Sequence, residues 1–182
     1  MSSAVTSGRR LPSAWARATI SPTMPMPRPA VLRISSVVST LALAADLGAD
    51  VTVDYRTHDW SSQVRDAVGT ADVVFDGVGG DVGAAAFGLL RAGGRFCPFG
   101  MASGGFAPVT TDMARAARVD VRGGGPVSPA ESASLSRAAL DEAAAGRLRP
   151  VIGQDHPLAE AAAAHAAIEA RATIGKTLLT VA

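Results

Sequence analysis

The loop Gly77-Val78-Gly79-Gly80-Asp81-Val82-Gly83 is placed to do chemistry with its backbone: it follows the apolar run Val73-Val74-Phe75-Asp76 and opens a helical pattern. Glycine amides in that position can cradle phosphates. A dinucleotide fingerprint needs G-x-G-x-x-G and then an acid about 20 residues on, at the tip of the next strand. Counted from Gly77, the third glycine position is Val82, and the next strand runs into Phe99-Gly100 without a carboxylate. The stretch is therefore not the first strand–loop–helix of a nucleotide-binding unit. It still lies at the carboxyl end of a buried strand, which faces the ligand crevice of an open α/β sheet. Asp76 is expected to order its own loop.

Side chains that could act as acids, bases, nucleophiles or metal ligands are scattered. His165 falls with Leu158, Ala161, Ala162 and Ile168 on one helical face, the pattern of a packed structural histidine. His58 and His156 sit in loops with no second ligand at metal spacing. Cys97 stands alone, which excludes an intrachain disulfide framework and a thiolate zinc site within this chain. It lies inside an apolar strand with no positioned base, so it reads as core. No G-x-S-x-G turn occurs. No catalytic side chain and no metal ligand is expected.

The elements that must position these loops follow from punctuation and periodicity. Helices are expected over 41–47, 61–68, 81–90, 113–117, 128–146 and 158–170, and strands over 31–38, 51–53, 73–75, 95–99, 119–122, 151–152 and 177–181. Gly48 and Gly69 are left-handed stops. Ser128-Pro129-Ala130-Glu131 is a capping box with proline at the first helical position. Alternating strands and helices argue for an α/β fold with a parallel sheet wrapped on both faces.

Composition changes near residue 40. No acid precedes Asp46, so residues 1–45 carry five arginines and a charge of +5, while 46–182 carry −4. The proline, serine and arginine-rich segment 1–40 is expected to be a disordered leader, because Pro22, Pro25, Pro27 and Pro29 interrupt any helix. Only Trp15 could stack there on a base, so nucleic acid is not an expected partner. No apolar run of about 18 residues is present, and no membrane partner is expected. A reducing cytoplasm suits the single cysteine.

From about Leu41 to Val181 the chain resembles the carboxyl-terminal part of medium-chain dehydrogenase/reductases. Its nearest likeness is to the zinc-independent NADPH:quinone oxidoreductase branch. The pieces in order are Leu47-Gly48-Ala49-Asp50, Val53-Asp54-Tyr55, Val73 to Gly80, and Leu90-Arg91-Ala92-Gly93-Gly94-Arg95. Phe99-Gly100, Ser103-Gly104, Gly146 to Pro150, Pro157-Leu158, Ala164-His165, Glu169 to Thr173 and Gly175-Lys176 complete them. The resemblance implies NADP(H) as cofactor, with direct hydride transfer to a quinone or enone-type small molecule. It implies Tyr55 near the adenosine end, and Val78 with Phe99, Gly100, Met101 and Ala102 along the nicotinamide. By the same likeness Gly125 holds the carboxamide and Arg171 meets the phosphates.

The expected fold is thus a partial doubly wound, Rossmann-type sheet that lacks the usual first strand and its glycine loop. Residues 41–146 form the partial dinucleotide-binding domain, and 147–182 form a strand–helix–strand returning toward an absent substrate domain. Segment 31–38 either stands in as the second strand or slips into the vacant central place. The abrupt join near Thr40 suggests a truncated or frame-shifted reading frame. Unpaired strand edges predict a homo-oligomer or pairing with another chain. Two rival readings are a non-catalytic remnant or interaction module that binds no dinucleotide, and a methyltransferase-like domain. The latter would need an early glycine loop that is not found.

Overall fold

A computed structural model of the chain describes residues 3–6, 31–35, 38–123 and 125–181. Its contacts divide into two units, Met1–Gly124 and Gly125–Ala182. The first contains β1 (Ser3–Thr6), β2 (Val31–Ser35), α1 (Val38–Asp46), β3 (Val51–Asp54), α2 (Trp60–Val68) and β4 (Ala71–Asp76). It continues through α3 (Gly80–Phe87), β5 (Leu90–Pro98), α4 (Thr111–Ala117) and β6 (Asp120–Val121).

One six-stranded sheet runs β3-β2-β1-β4-β5-β6. The β3–β2, β4–β5 and β5–β6 pairs are parallel. β1 is antiparallel to both of its neighbours, with Thr6 beside Val31 and Val73, and Ser3 beside Ile34. All the other strands therefore end at one edge of the sheet, and β1 begins there. This is the 3-2-1-4-5-6 order of a doubly wound fold, with its central strand reversed. The chain leaves β1 at the edge opposite the crevice, whereas the other strands of the sheet end at the crevice.

One expectation for the opening segment needs correction. It is not a leader without structure, since residues 3–6 and 31–35 both join the sheet; its residues 7–30 lie outside those described. The usual parallel first strand is not in the central place, which the antiparallel β1 fills, and segment 31–35 takes the second position, one of the two places expected for it. Sequence reasoning missed β1 because four residues flanked by polar ones carry no usable period.

The core forms where the sheet meets α2 and α3. Trp60 and Val64, one helical turn apart, are the buried residues of α2, and they join Val53, Val74, Phe87, Leu89 and Phe96 in one cluster. Phe87 and Phe96 meet edge to face, with ring centroids 5.5 Å apart. α3 ends at Phe87, and Leu90, expected in that helix, instead starts β5. The ladder steps from Ala71–Leu90 to Val73–Arg95, so a bulge absorbs the extra residues of β5. Gly94 fits there because a Cβ would stand 3.1 Å from the Asp72 carbonyl oxygen. Asp120 then ties the β6 edge down through ion pairs to Arg95 at 3.6 Å and Arg122 at 2.7 Å.

The second unit comprises α5 (Pro129–Ala144), β7 (Ile152–Pro157), a 3-10 turn (Leu158–Glu160), α6 (Ala161–Glu169) and β8 (Lys176–Thr180). The Ser128 hydroxyl accepts from the Glu131 N–H at 3.2 Å, the capping-box bond read from the sequence. β7 and β8 form a parallel pair. Among the described residues of this unit only Ala164 is buried. The division at Gly124–Gly125 puts α5 with these strands, whereas the sequence reading divides the chain after Gly146.

Two substitutions test this architecture. Phe96→Ala empties the centre of the core and should cost about 3–5 kcal/mol in chemical denaturation. Val5→Pro removes a ladder amide between two strands. Amide exchange at Leu32 and Val74 should then rise while Phe96 stays protected; unchanged exchange at Val74 would place β1 elsewhere.

Candidate functional site

The site is built on the parallel ends of β4 and β5, where Asp76 lies opposite Pro98. Asp76 is fully buried, at 0 % exposure, and its Oδ1 accepts the N–H groups of both Val78 and Gly79 at 2.9 Å. The carboxylate thus orders its own loop, as the sequence suggests. Its main-chain carbonyl accepts from Phe99 N–H at 2.8 Å and Gly100 N–H at 3.2 Å. One residue therefore grips the loop after β4 and the loop after β5.

The two loops are then zipped backbone to backbone. Ser103 N–H donates to the Val78 carbonyl at 2.9 Å, and Gly80 N–H donates to the Gly105 carbonyl at 3.1 Å. The Ser103 hydroxyl donates to that same Gly105 oxygen at 3.3 Å. A Cβ on Gly100 would stand 2.6 Å from the Gly77 carbonyl oxygen, and one on Gly79 would run into the Gly105 carbonyl. Gly79 also has φ of 74°, which an L side chain resists. The glycines at 79 and 100 are thus explained by the approach of two main chains.

This geometry answers the question posed by the glycine-rich sequence. The amides of Val78, Gly79 and Gly80 all point at protein acceptors, so they are not offered to an anion at the start of α3. Asp81 in the first turn of α3 adds a negative charge there. The loop is a wall, not a phosphate cradle.

The wall's exposed surface is apolar. Phe99, Met101 and Phe106 are 66 %, 55 % and 48 % exposed, and Ala102 lies between them. Val78, expected to line the same surface, is only 4 % exposed, with its N–H and carbonyl both engaged. It supports the surface from behind. Phe106 and Ser103 were missed from the sequence; the paired glycines 104–105 are the signal that could have drawn attention to them. The wall can exclude water and orient a flat ligand, with the exposed carboxylate of Asp81 at its margin where α3 begins.

Tyr55 follows β3 at the same edge of the sheet, half-buried against the core. Beside it Asp54 binds Arg56 through Nε at 3.1 Å and Nη2 at 2.6 Å, and accepts the Arg56 backbone N–H at 2.9 Å. The Arg56 side chain holds the Asp54 carboxyl below its usual range. That stabilisation is present above the ordinary carboxylate pKa and fades as acid protonates the group.

Gly125 and Arg171 belong to the second unit, and both are exposed. Arg171 has φ of 54° just beyond α6, where its N–H donates to the Ile168 carbonyl at 3.0 Å. His165 is exposed, and Ala164 beside it takes the buried position, so the packed-histidine reading is corrected. Of the eight expected site residues, the structure brings Val78, Phe99, Gly100, Met101 and Ala102 together. Tyr55 shares their edge, three strand spacings (about 14 Å) from β4 and four (about 19 Å) from β5.

A separate hollow of about 430 Å³, lined by Val109, Thr110, Ala114, Arg115, Val119 and Val121, holds none of these residues. Among the described residues no three His, Cys, Asp or Glu side chains converge as metal ligands. Cys97 is half-buried, and burial pushes its thiol up, away from the thiolate that zinc requires. The residues present do not fit a zinc ion.

Known proteins match this arrangement. A sequence family described as zinc-binding dehydrogenase covers residues 47–179. A 2-haloacrylate reductase of Burkholderia sp is 31 % identical over 144 residues, which cover 75 % of this chain and 43 % of that protein. A mycobacterial structure complexed with NADPH superposes with a TM-score of 0.66 at 31 % identity, over 82 % of this chain and 48 % of its own. The quinone oxidoreductase of Pseudomonas syringae pv. Tomato DC3000 gives a TM-score of 0.64 at 29 % identity, over 80 % and 47 %. The chain thus spans less than half the length of each of these relatives. With the family's model matched over well more than half of its residues, the chain belongs to the zinc-binding dehydrogenase family.

Proposed function

We propose that this chain supplies the cofactor-facing part of an NADP(H)-dependent reductase, in which hydride passes between the nicotinamide and a quinone or enone-type small molecule. The observation that carries the reading is the locked pair of loops at the carboxyl ends of β4 and β5, with Phe99, Met101 and Phe106 exposed on it. Direct hydride transfer asks the protein for position, dryness and orientation, and a rigid apolar wall supplies these. Phe99, Gly100, Met101 and Ala102 would flank the nicotinamide, with Val78 behind them. Tyr55, four strand spacings or about 19 Å along the same edge from β5, would meet the adenosine end. Gly125 and Arg171 would complete the carboxamide and phosphate contacts. A family relative that carries NADPH and another that reduces quinones support the same assignment.

A second reading is favoured by a different observation. The central strand is reversed and the amides of Val78 and Gly79 are taken by Asp76, so the start of α3 offers no cradle for a diphosphate. That favours a non-catalytic remnant or interaction module. We also propose pairing between copies through strand edges, since β6 is a two-residue edge strand and β7 and β8 form only a two-stranded sheet. A cytoplasmic setting suits the single cysteine, and no described helix is long and apolar enough to cross a membrane.

Thermal unfolding with NADPH, NADH and S-adenosylmethionine separates these readings. The proposed function expects NADPH to raise the melting temperature and the other two to do less; a flat response to all three selects the remnant. Arg171→Ala should weaken NADPH about tenfold to a hundredfold, the worth of one charge-assisted bond to phosphate. NADH should be spared if Arg171 meets the extra phosphate, and equal loss for both cofactors removes that role.

A further inference from the structure

The bonds around Asp76 form a circuit. Its Oδ1 takes the Val78 N–H, the Val78 carbonyl takes the Ser103 N–H, the Ser103 hydroxyl donates to the Gly105 carbonyl, and that carbonyl takes the Gly80 N–H. By these bonds the side chain reaches the Ser103–Gly105 turn through the first loop. Its main-chain carbonyl grips Phe99 and Gly100 directly, and that grip survives any change of side chain. On the far side Oδ2 lies against Gly83 of α3 and near Ala107, where a Cβ on Gly83 would collide with both.

We propose that Asp76 is a positioning residue for hydride transfer: its buried carboxylate sets the loop after β4, and through it the Ser103–Gly105 turn that carries Met101 and Phe106 on either side. The proposal deepens the cofactor reading and rests on it. Asp76 touches no ligand on this account. It decides whether the apolar wall presents one fixed surface to the nicotinamide or a range of them, and preorganised surfaces bind and orient better than mobile ones.

The test uses the full chain, amide hydrogen exchange and two probes, NADPH and adenosine 2′,5′-bisphosphate, which lacks the nicotinamide. Asp76→Ala should speed exchange at Val78, Gly79, Gly80 and Ser103, and leave Phe99, Gly100 and Phe96 protected. NADPH affinity should fall about tenfold, the effect of one or two lost hydrogen bonds, with adenosine 2′,5′-bisphosphate affinity unchanged. Asp76→Asn keeps the Oδ1 acceptor and should recover protection at Val78 and Gly79, with NADPH affinity within about threefold of the parent. Gly83→Ala would place a Cβ 2.7 Å from that of Ala107 and against Asp76 Oδ2. It displaces the carboxylate without deleting it, and should give the same exchange pattern even if Asp76→Ala does not fold.

Unchanged protection at Val78 and Gly79 in both Asp76→Ala and Gly83→Ala would overturn the inference. So would an equal loss of both probes, which marks a merely structural residue. If the parent chain binds neither probe, the cofactor reading fails and the positioning role falls with it; the exchange pattern then still reports on the circuit alone.

Discussion

The structure at the crevice depends on one requirement: two main chains must lie against each other with no side chain between them. A Cβ at Gly79 or Gly100 would meet a carbonyl from the opposite loop. Buried peptide groups need partners, and here each loop supplies the other's. Asp76 makes that arrangement possible by taking the two amides that the turn would otherwise leave without an acceptor. The apolar side chains at Phe99, Met101 and Phe106 are then held on a scaffold that is fixed by backbone, and the scaffold does not depend on how those side chains pack.

The same bookkeeping of amides separates two meanings of a glycine-rich loop. In a phosphate cradle, glycine exposes N–H groups toward an anion. Here the N–H groups of Val78, Gly79 and Gly80 turn inward, and glycine serves close packing. The sequence already hints at the difference, because Val82 stands where the third fingerprint glycine belongs and no acid closes the next strand. Periodicity alone could not say where the amides go. For Val78 and Gly79 that depends on which way the Asp76 carboxylate turns, and for Gly80 on Gly105, more than twenty residues away along the chain and brought close only when β4 and β5 pair.

Elements with local signals were legible in the sequence, and elements fixed by long-range pairing were not. The continuous apolar run at Val73 announced β4, the Ser128–Glu131 box announced α5, and Gly69 with φ of 72° ended α2 as expected. Leu90 was assigned to a helix because nothing local distinguishes the end of α3 from the bulged start of β5. β1 was invisible because its identity as a strand comes wholly from neighbours, β2 and β4, that lie far along the chain. Among the expected site residues, Phe99, Met101 and Ala102 are exposed on the loop after β5 while Val78 is buried behind it, since backbone spacing says little about which way a side chain faces.

The reversed central strand bears most directly on function. A parallel strand in that place would end at the crevice and deliver its following turn and helix start to a ligand. β1 delivers its beginning instead, and its Thr6 end lies beside Val31 and Val73 at the opposite edge. The sheet keeps its order and its core, because an antiparallel strand satisfies the neighbouring ladders as well as a parallel one does. What changes is the polarity of the connection, and polarity is what places a phosphate-binding turn. The sheet order and the apolar wall at the ends of β4 and β5 can therefore persist together while the central strand no longer ends beside them.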